Sequence, residues 1–374
     1  MKKILVLAVV ISFLIFPQLS DAQTDPVVKK IIEIGKTDNR TMKHLDVLTN
    51  RFGGRPIGSA AYDNAAEWAG RKFKEWGMEV EYDEAGTLAV GFNRGAWFGK
   101  MTSPKSMFLH FATPSYSSGT RGRQVGHAVL APQNDGQFER MKKTLKGAWV
   151  LLDPPKVDEE ELERRKKMTP EEQTKQRELE SKEAKDKLNK WIDAGILGVI
   201  VPAPVPINAT YNRDLKEWTS WDDLPTTCDI KLDEHQFAEI KQMIIERQRV
   251  ELEFDIRNYF KMGPVTYSNV IGIIPGIEFP DEYVIMGGHL DSYDVATGAV
   301  DDGSGMTPAM EAARLIMAAG GKPKRTILVC LWAGEEFGIL GAGHWVEKFK
   351  DRLPKISNMF NRDGGPTVPT GISV

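Results

Sequence analysis

The chain has 374 residues, of which 41% are hydrophobic and 27% are charged, and its formal net charge is −3. This composition is that of a folded globular protein, and the length allows about two to three domains. So small a net charge gives no reason to expect binding to nucleic acid or to an anionic membrane.

The first 22 residues have the pattern of a secretory signal peptide. Two lysines precede an apolar run at residues 4–16, and small residues lead to a predicted cleavage site after Ala22. The apolar run is too short to span a membrane as a helix. We therefore expect a mature protein that is secreted or periplasmic, with no membrane attachment after cleavage.

Residues 122–258 differ in character from the rest of the mature chain. The segment GAWVLLDPP predicts a strand, a dense mixed-charge stretch follows at residues 156–190, and a second strand comes next. The charged stretch has no apolar stripe, so we predict a solvated helix there. The mature chain is accordingly divided into residues 23–121, an insert at residues 122–258, and residues 259–374.

The two cysteines, Cys228 and Cys330, are predicted to be unpaired. Export permits a disulfide. However, Cys330 lies in a run that predicts a central buried strand, where a free cysteine behaves as a small hydrophobic residue.

Residues 259–374 predict strands that alternate with a helix. Short apolar and β-branched runs at residues 283–286 and 326–332 predict buried strands. Between them, the pattern at residues 306–319 predicts a helix that two following glycines terminate. This order is typical of an open α/β sheet, whose ligands bind outside the carboxyl ends of the strands.

Residues with metal-binding side chains follow these strands. His289 comes after the first strand, and Asp291 is a candidate to accept the second ring N–H of His289 and fix its tautomer. Asp301 lies in a glycine-rich loop before the helix. Glu335 and Glu336 follow the second strand. Two adjacent carboxylates can have different roles, Glu336 as a metal ligand and Glu335 as a general base.

A third strand end supplies Asp363. One imidazole and several carboxylates at strand ends form the donor set that a pair of zinc-like ions takes. Each motif taken alone is weak, since a histidine after a strand or a pair of glutamates is common in any protein. Their occurrence together and in order argues against a solvated acidic patch and for a metal centre.

Four segments carry a resemblance to a known family. GGHLDSYDVATGAVDDGSG, LWAGEEFGILGAGHW and NRDGG resemble zinc peptidase family M28, and most of all its carboxypeptidase Q-like branch. The stretch RFGGRPIGSAAYDNAAEWAGRKFKEWGMEVEYDEAG resembles the opening region of the family. The resemblance implies an α/β zinc-exopeptidase fold, aminopeptidase-like, with a mixed sheet flanked by helices. It also implies that residues 122–258 are an inserted protease-associated domain between two parts of the peptidase domain.

The resemblance also implies roles for the candidate residues. Asp301 is expected to bridge two zinc ions, with His289 and Asp363 completing one site and Glu336 belonging to the other. Glu335 is expected to be the general base. A cis peptide bond is expected after Asp301.

The family pattern is not fully matched. In the family, a second histidine ligand lies several tens of residues beyond the equivalent of Asp363, and this chain ends 11 residues after Asp363. We therefore expect a peptidase truncated at its C-terminus, with one well-ligated zinc site. His344, eight residues after Glu336, is interpreted as structural rather than as a replacement ligand.

These observations favour a secreted co-catalytic zinc exopeptidase that acts on dipeptides or short peptides. The expected partners are a peptide or dipeptide substrate and, as a further expectation, a second copy of the chain. The alternative is a non-catalytic member of the superfamily that keeps the fold for binding or assembly, as the transferrin receptor does. A one-zinc acyl transfer of the glutaminyl cyclase type is a third hypothesis, against which the predicted insert argues.

Overall fold

The structure, a computed structural model, describes residues 25–154, 159–365 and 367 of the chain. The predicted signal peptide lies outside the described residues. Within the described part of the chain, no helix is long and apolar enough to cross a membrane.

The described residues form α-helices, β-strands and several short turns of other helical types. The helices are α1 (Pro26–Thr37), α2 (Thr41–Asp46), α3 (Ala60–Glu75), α4 (Asp135–Leu145), α5 (Glu159–Lys167), α6 (Pro170–Asp193), α7 (Glu234–Ile245), α8 (Ser304–Ala318) and α9 (Leu340–Lys348). The strands are β1 (Glu79–Ser103), β2 (Met107–Phe108), β3 (Phe111–Ala112), β4 (Gln124–Leu130), β5 (Ala148–Leu151), β6 (Gly198–Ala203), β7 (Cys228–Asp233), β8 (Glu251–Ile274), β9 (Phe279–His289), β10 (Arg325–Trp332) and β11 (Ile356–Asn361).

The strands form one continuous mixed sheet in the order β11, β9, β10, β8, β4, β5, β6, β7, β3. Strands β1 and β8 also pair with each other as a long antiparallel ribbon. The first residues of β8 pair with β4, and its last residues pair with β10. The ribbon therefore joins a half of the sheet made by β4 to β7 with a half made by β9 to β11. The expected mixed α/β sheet is confirmed.

Strands β9, β10 and β11 are parallel, so their carboxyl ends lie at one edge of the sheet. Trp332 of β10 is level with His289 of β9, and Asn361 of β11 is level with Gly287 of β9. The strands predicted at residues 283–286 and 326–332 and the helix predicted at residues 306–319 are confirmed as β9, β10 and α8. The sheet thus brings the residues that follow each strand into one crevice.

Helices cover both faces of this half of the sheet. On one face, α3 and α8 pack against the strands through buried side chains such as Phe73, Met310 and Leu331. On the other face, Trp345 of α9 packs against the apolar residues of β9 and β10, which include Cys330. Both cysteines are buried and unpaired, as predicted.

Residues 122–258 have an apolar cluster of their own around Trp191, and they share a second cluster, around Trp149, with residues of β1 and β3. Helices α5 and α6 extend from this region, and Trp191 is the buried residue among those described on α6. The predicted solvated, highly charged helix is therefore confirmed. The predicted boundary at residue 258 falls inside β8, because that strand belongs to both halves of the sheet.

A buried asparagine ties the β1–β8 ribbon to the end of β10. Asn269 accepts a hydrogen bond from the backbone N–H of Ala333 at 2.9 Å. Its amide donates to a carboxylate oxygen of Asp83 at 2.9 Å and to the carbonyl of Gly341 at 3.0 Å. Asn269 thereby fixes both the start and the end of the loop that carries Glu335 and Glu336.

We predict that Asn269→Leu lowers the free energy of unfolding by about 2–4 kcal/mol, because it leaves the buried Ala333 N–H without a partner and leaves the buried Asp83 carboxylate with Lys348 but without the Asn269 amide. Urea denaturation of the purified chain measures this change. Asn358→Leu on the exposed edge strand β11 is the matched control, with an expected change within about 0.5 kcal/mol. Equal effects of the two substitutions would contradict the proposed structural role of Asn269.

Candidate metal centre

The structure places the candidate acidic residues around the ring of His289. Its Nε2 atom lies 2.9 Å from Asp301 Oδ1, 3.6 Å from Asp363 Oδ1 and 3.9 Å from Glu335 Oε2. The His289 side chain is almost fully buried, whereas about half of the Asp301 and Asp363 side chains is exposed to solvent. The residues that follow three neighbouring strands therefore meet at one accessible crevice.

The second ring nitrogen of His289 points into the protein. Its Nδ1 atom lies 3.0 Å from the backbone carbonyl oxygen of Asp291 and 3.5 Å from a carboxylate oxygen of the same residue. Of the two acceptors on Asp291, the backbone carbonyl oxygen is the nearer. With Nδ1 protonated and hydrogen-bonded in this way, Nε2 is the nitrogen that faces the crevice.

The Asp291 carboxylate has a different role. It accepts hydrogen bonds from the backbone N–H groups of Glu335 at 3.1 Å and Glu336 at 3.2 Å. Because Asp291 is fully buried, these bonds fix the β10 loop relative to the end of β9.

Asp302 joins this group, although sequence reasoning did not select it. One of its carboxylate oxygens accepts the backbone N–H of His289 at 2.9 Å, and the other is buried without a hydrogen-bond partner. Single donor atoms of His289, Asp302 and Asp363 lie within 4.8 Å of one another. The sequence signal that could have identified Asp302 was its position next to Asp301, the one residue of the Asp-Asp pair for which a role was expected. The peptide bond between the two aspartates is cis, as the resemblance implied.

The crevice carries an excess of negative charge that shifts the pKa values of its residues. Burial by itself lowers the pKa of His289, but the surrounding carboxylates, led by Asp291, raise it to about 10. Burial raises the pKa of Asp302 to about 7. Burial and the neighbouring Asp301 carboxylate raise the pKa of Glu336 to about 7. Burial also raises the pKa of Glu335. A proton on His289 therefore offsets part of the negative charge of these carboxylates. A bound cation is suited to offset the same charge.

The distances from His289 Nε2 to two carboxylate oxygens fit a zinc ion. Two ligands that are each about 2.0–2.1 Å from a tetrahedral zinc ion lie roughly 3.3 Å from each other. The measured separations from His289 Nε2 to the Asp301 and Asp363 oxygens, 2.9 and 3.6 Å, bracket this value. The nitrogen and carboxylate donors are also of the types that zinc prefers.

A buried arginine holds the loop that follows β9. The guanidinium of Arg55 donates to the backbone carbonyls of Leu290 at 2.8 Å and of Thr297 and Gly298 at 3.1 Å. Burial lowers the pKa of Arg55 to about 10. Sequence reasoning missed Arg55, because nothing in its local pattern indicates a partner more than 200 residues away.

Tyr293 is a further residue at the crevice that sequence reasoning missed. Its hydroxyl forms a hydrogen bond with Glu336, and burial together with that carboxylate raises the pKa of Tyr293. His344, by contrast, lies outside the crevice. Its Nε2 is 3.8 Å from the buried Asp83 carboxylate, so its position agrees with a structural role.

Comparison with known proteins identifies the family of this region. Residues 269–371 match the model of Peptidase family M28. Carboxypeptidase Q of Rattus norvegicus is 26% identical, and the alignment covers 94% of this chain and 71% of that protein. Carboxypeptidase Q of Homo sapiens is 25% identical, with 94% and 71% covered.

Solved structures show the same fold. An M28 peptidase precursor from Shewanella amazonensis superposes with a TM-score of 0.58 at 21% identity, over 92% of this chain and 75% of that one. A zinc aminopeptidase from Bacillus subtilis superposes with a TM-score of 0.52 at 18% identity, over 87% and 68%. Together, the match of residues 269–371 to Peptidase family M28 and the similarity to carboxypeptidase Q over most of the chain indicate a metallo-exopeptidase.

Proposed function

We propose that the protein is a secreted zinc exopeptidase that hydrolyses terminal peptide bonds of dipeptides or short peptides. The observation that carries this proposal is the position of His289 Nε2, which faces the carboxylates of three separate chain segments within 4 Å. The names of the relatives, carboxypeptidase Q and zinc aminopeptidase, support the reaction class and the metal.

His289, Asp301 and Asp363 would hold one zinc ion, and Asp301 would be shared with a second ion that Glu336 binds. Asp302 stabilises this set of ligands through its hydrogen bond to the backbone of His289. It is fully buried and bonded to the backbone of His289, whereas Asp301 is open to the crevice. A carboxylate that both a metal ion and a substrate can reach is the more suitable bridging ligand.

When bound, zinc supplies a Lewis acid that polarises the scissile carbonyl and makes a neighbouring water molecule more acidic. Glu335 then accepts the proton of the attacking water and donates it to the leaving amine. Its raised pKa suits this task, because a base with a pKa nearer to the working pH transfers protons more effectively in both directions. The Asp291 carboxylate orients Glu335 by holding its backbone N–H.

Three further features belong to this proposal. Residues 1–22 are a signal peptide that directs export. Residues 122–258 are an inserted protease-associated domain, which the similarity to carboxypeptidase Q across most of the chain supports. A second copy of the chain is a candidate partner.

We predict about one tightly held zinc ion per chain, measured by elemental analysis after dialysis. His289, Asp301 and Asp363 give one ion three protein ligands that include a nitrogen. The second ion has only the carboxylates of Asp301 and Glu336 among the residues assigned here. A stoichiometry near two would show that another residue completes the second site.

We also predict that zinc binding releases about one proton per ion at pH 8. The pKa of His289 in the metal-free protein is raised to about 10, so the ring is protonated below that pH and must lose its proton to bind zinc. The apparent zinc affinity should therefore rise with pH across the range from 7 to 9. Calorimetric titrations in buffers of different ionisation enthalpy measure the proton count. His344→Ala should leave the count unchanged, and no proton release would contradict the assignment of His289 as a ligand.

Glu335→Gln is predicted to lower the rate of dipeptide hydrolysis by at least about 10² while the zinc content stays unchanged. The amide keeps the shape and hydrogen bonding of the side chain but cannot accept a proton. The measurement combines kcat on a dipeptide with elemental analysis of the same sample.

Glu336→Gln is the matched control for this experiment, because it alters the adjacent carboxylate and should weaken zinc binding instead. If Glu335→Gln loses zinc and keeps its activity per bound ion, the two roles are reversed. If the unmodified, zinc-loaded chain hydrolyses no dipeptide or aminoacyl substrate, the non-catalytic alternative replaces the proposal.

A further inference from the structure

The loop that connects β10 to α9, residues 333–339, is closed at its base by hydrogen bonds. The backbone N–H of Gly341 donates to the carbonyl of Ala333 at 2.7 Å. The Asn269 side chain joins the same two residues, because it accepts from the N–H of Ala333 at 2.9 Å and donates to the carbonyl of Gly341 at 3.0 Å. The base of the loop that carries both glutamates therefore depends on one side-chain amide.

The orientation of the Asn269 amide decides whether these bonds can form. Its oxygen only accepts hydrogen bonds, and its NH₂ group only donates them. If the two ends exchanged places, the NH₂ group would face the N–H of Ala333, and the oxygen would face the carbonyl of Gly341. Both contacts would then be repulsive, and the base of the loop would lose two hydrogen bonds.

A buried carboxylate selects the observed orientation of the amide. Asp83 is opposite Asn269 in the β1–β8 ribbon and is fully buried. Its Oδ2 atom accepts a hydrogen bond from the NH₂ group of Asn269 at 2.9 Å. An ionised carboxylate has no hydrogen to donate, so the NH₂ end of the amide is the end that can face it. The amide oxygen is thereby directed to the N–H of Ala333.

Lys348 of α9 provides the positive charge for this carboxylate. Its Nζ atom lies 2.5 Å from Asp83 Oδ1, the oxygen that Asn269 does not use. Burying a carboxylate without a cation is unfavourable, and the ammonium group offsets that cost. The nearby His344 ring nitrogen is 3.8 Å from the same oxygen and forms no hydrogen bond with it. The Lys348 side chain is 41% exposed, so the contacts run from the surface to the base of the loop.

We propose that Lys348 and Asp83 are positioning residues for the general base Glu335, and that they act through the amide of Asn269. This inference rests on the proposed peptidase function. Helix α9 begins at Leu340, where the loop ends, so the ion pair also fixes the helix that follows the loop relative to β1. The loop is thus held by the Asp291 carboxylate from the end of β9 and by these residues from the β1–β8 ribbon.

Loss of the ion pair removes the selection of one amide orientation. When Asp83 is displaced or is replaced by asparagine, the reversed amide of Asn269 is no longer excluded. In that orientation the N–H of Ala333 has lost its acceptor, and the start of the loop moves. A misplacement of about 1 Å can lower a catalytic rate by about 10². The reversed amide is one of two orientations, so we expect a smaller loss, of about tenfold.

The test uses Lys348→Met in the full chain loaded with zinc. We expect kcat for L-alanyl-L-alanine to fall about tenfold and KM to change by less than about twofold, with the zinc content unchanged. Hydrogen exchange, measured by mass spectrometry on peptides that cover residues 333–341, should become about tenfold faster. Peptides from α4 should keep their rate. A purely structural role would lower Tm and leave kcat per folded, zinc-loaded chain unchanged.

Matched variants separate the ion pair from a general loss of charge. Lys348→Arg keeps the charge and should retain at least about half of kcat. Lys350→Met removes the charge of an exposed lysine that pairs with the exposed Glu347, and it should alter neither kcat nor exchange. Asp83→Asn should reproduce both effects of Lys348→Met. The double variant should lose no more than either single variant, because both substitutions break the same contact.

An unchanged kcat in Lys348→Met would overturn the inference, as would losses that multiply in the double variant. If Lys348→Met does not fold, Asp83→Asn, which has the shape of the native residue, takes its place in each measurement. An absence of dipeptide hydrolysis by the unmodified chain would contradict the proposed function. Exchange of residues 333–341 would then decide the inference alone, since faster exchange in the variant supports it and equal exchange overturns it.

Discussion

The geometry of the candidate metal centre depends on one buried carboxylate, that of Asp291. It follows β9 and holds the backbone N–H groups of Glu335 and Glu336, which follow β10. The carbonyl of the same residue is the nearest acceptor for Nδ1 of His289. Loss of the carboxylate would leave two partly buried N–H groups without their hydrogen-bond partner, at a cost of up to about 1–3 kcal/mol each. Asp291 therefore fixes the histidine and both glutamates as one unit, and Arg55 holds the rest of its loop from the other side.

Much of this half of the fold could be predicted from the sequence because its signals are local. The apolar runs that became β9 and β10 are short, β-branched and followed by glycines, and parallel strands place their carboxyl ends together. The position of His289 at the end of a strand follows from these facts alone. The grouping of His289 with Asp301 and Asp363 then needs only the rule that open α/β sheets bind ligands at this edge.

The remaining features depend on contacts between residues that are far apart in the chain. The hydrogen bonds of Arg55 to the loop after β9 and the contact of Tyr211 with Phe337 have no local pattern that reveals them. Asp302 was adjacent to a selected residue, but only the backbone path shows that its side chain points back to the N–H of His289. The predicted boundary at residue 258 lies within β8, and the alternation of apolar residues in the sequence does not show that this strand pairs with both halves of the sheet.

The β1–β8 ribbon imposes an order on how the chain can fold. Strand β1 is synthesised early, but its partner along nearly its whole length is β8, which begins only at Glu251. Contacts between such distant segments form slowly, because a long loop must close before they are made. Residues 122–258 have an apolar cluster of their own around Trp191, so this segment can become compact before β1 and β8 pair. During synthesis, this compact segment therefore shortens the effective distance between the two strands, and the crevice around His289 is assembled after them.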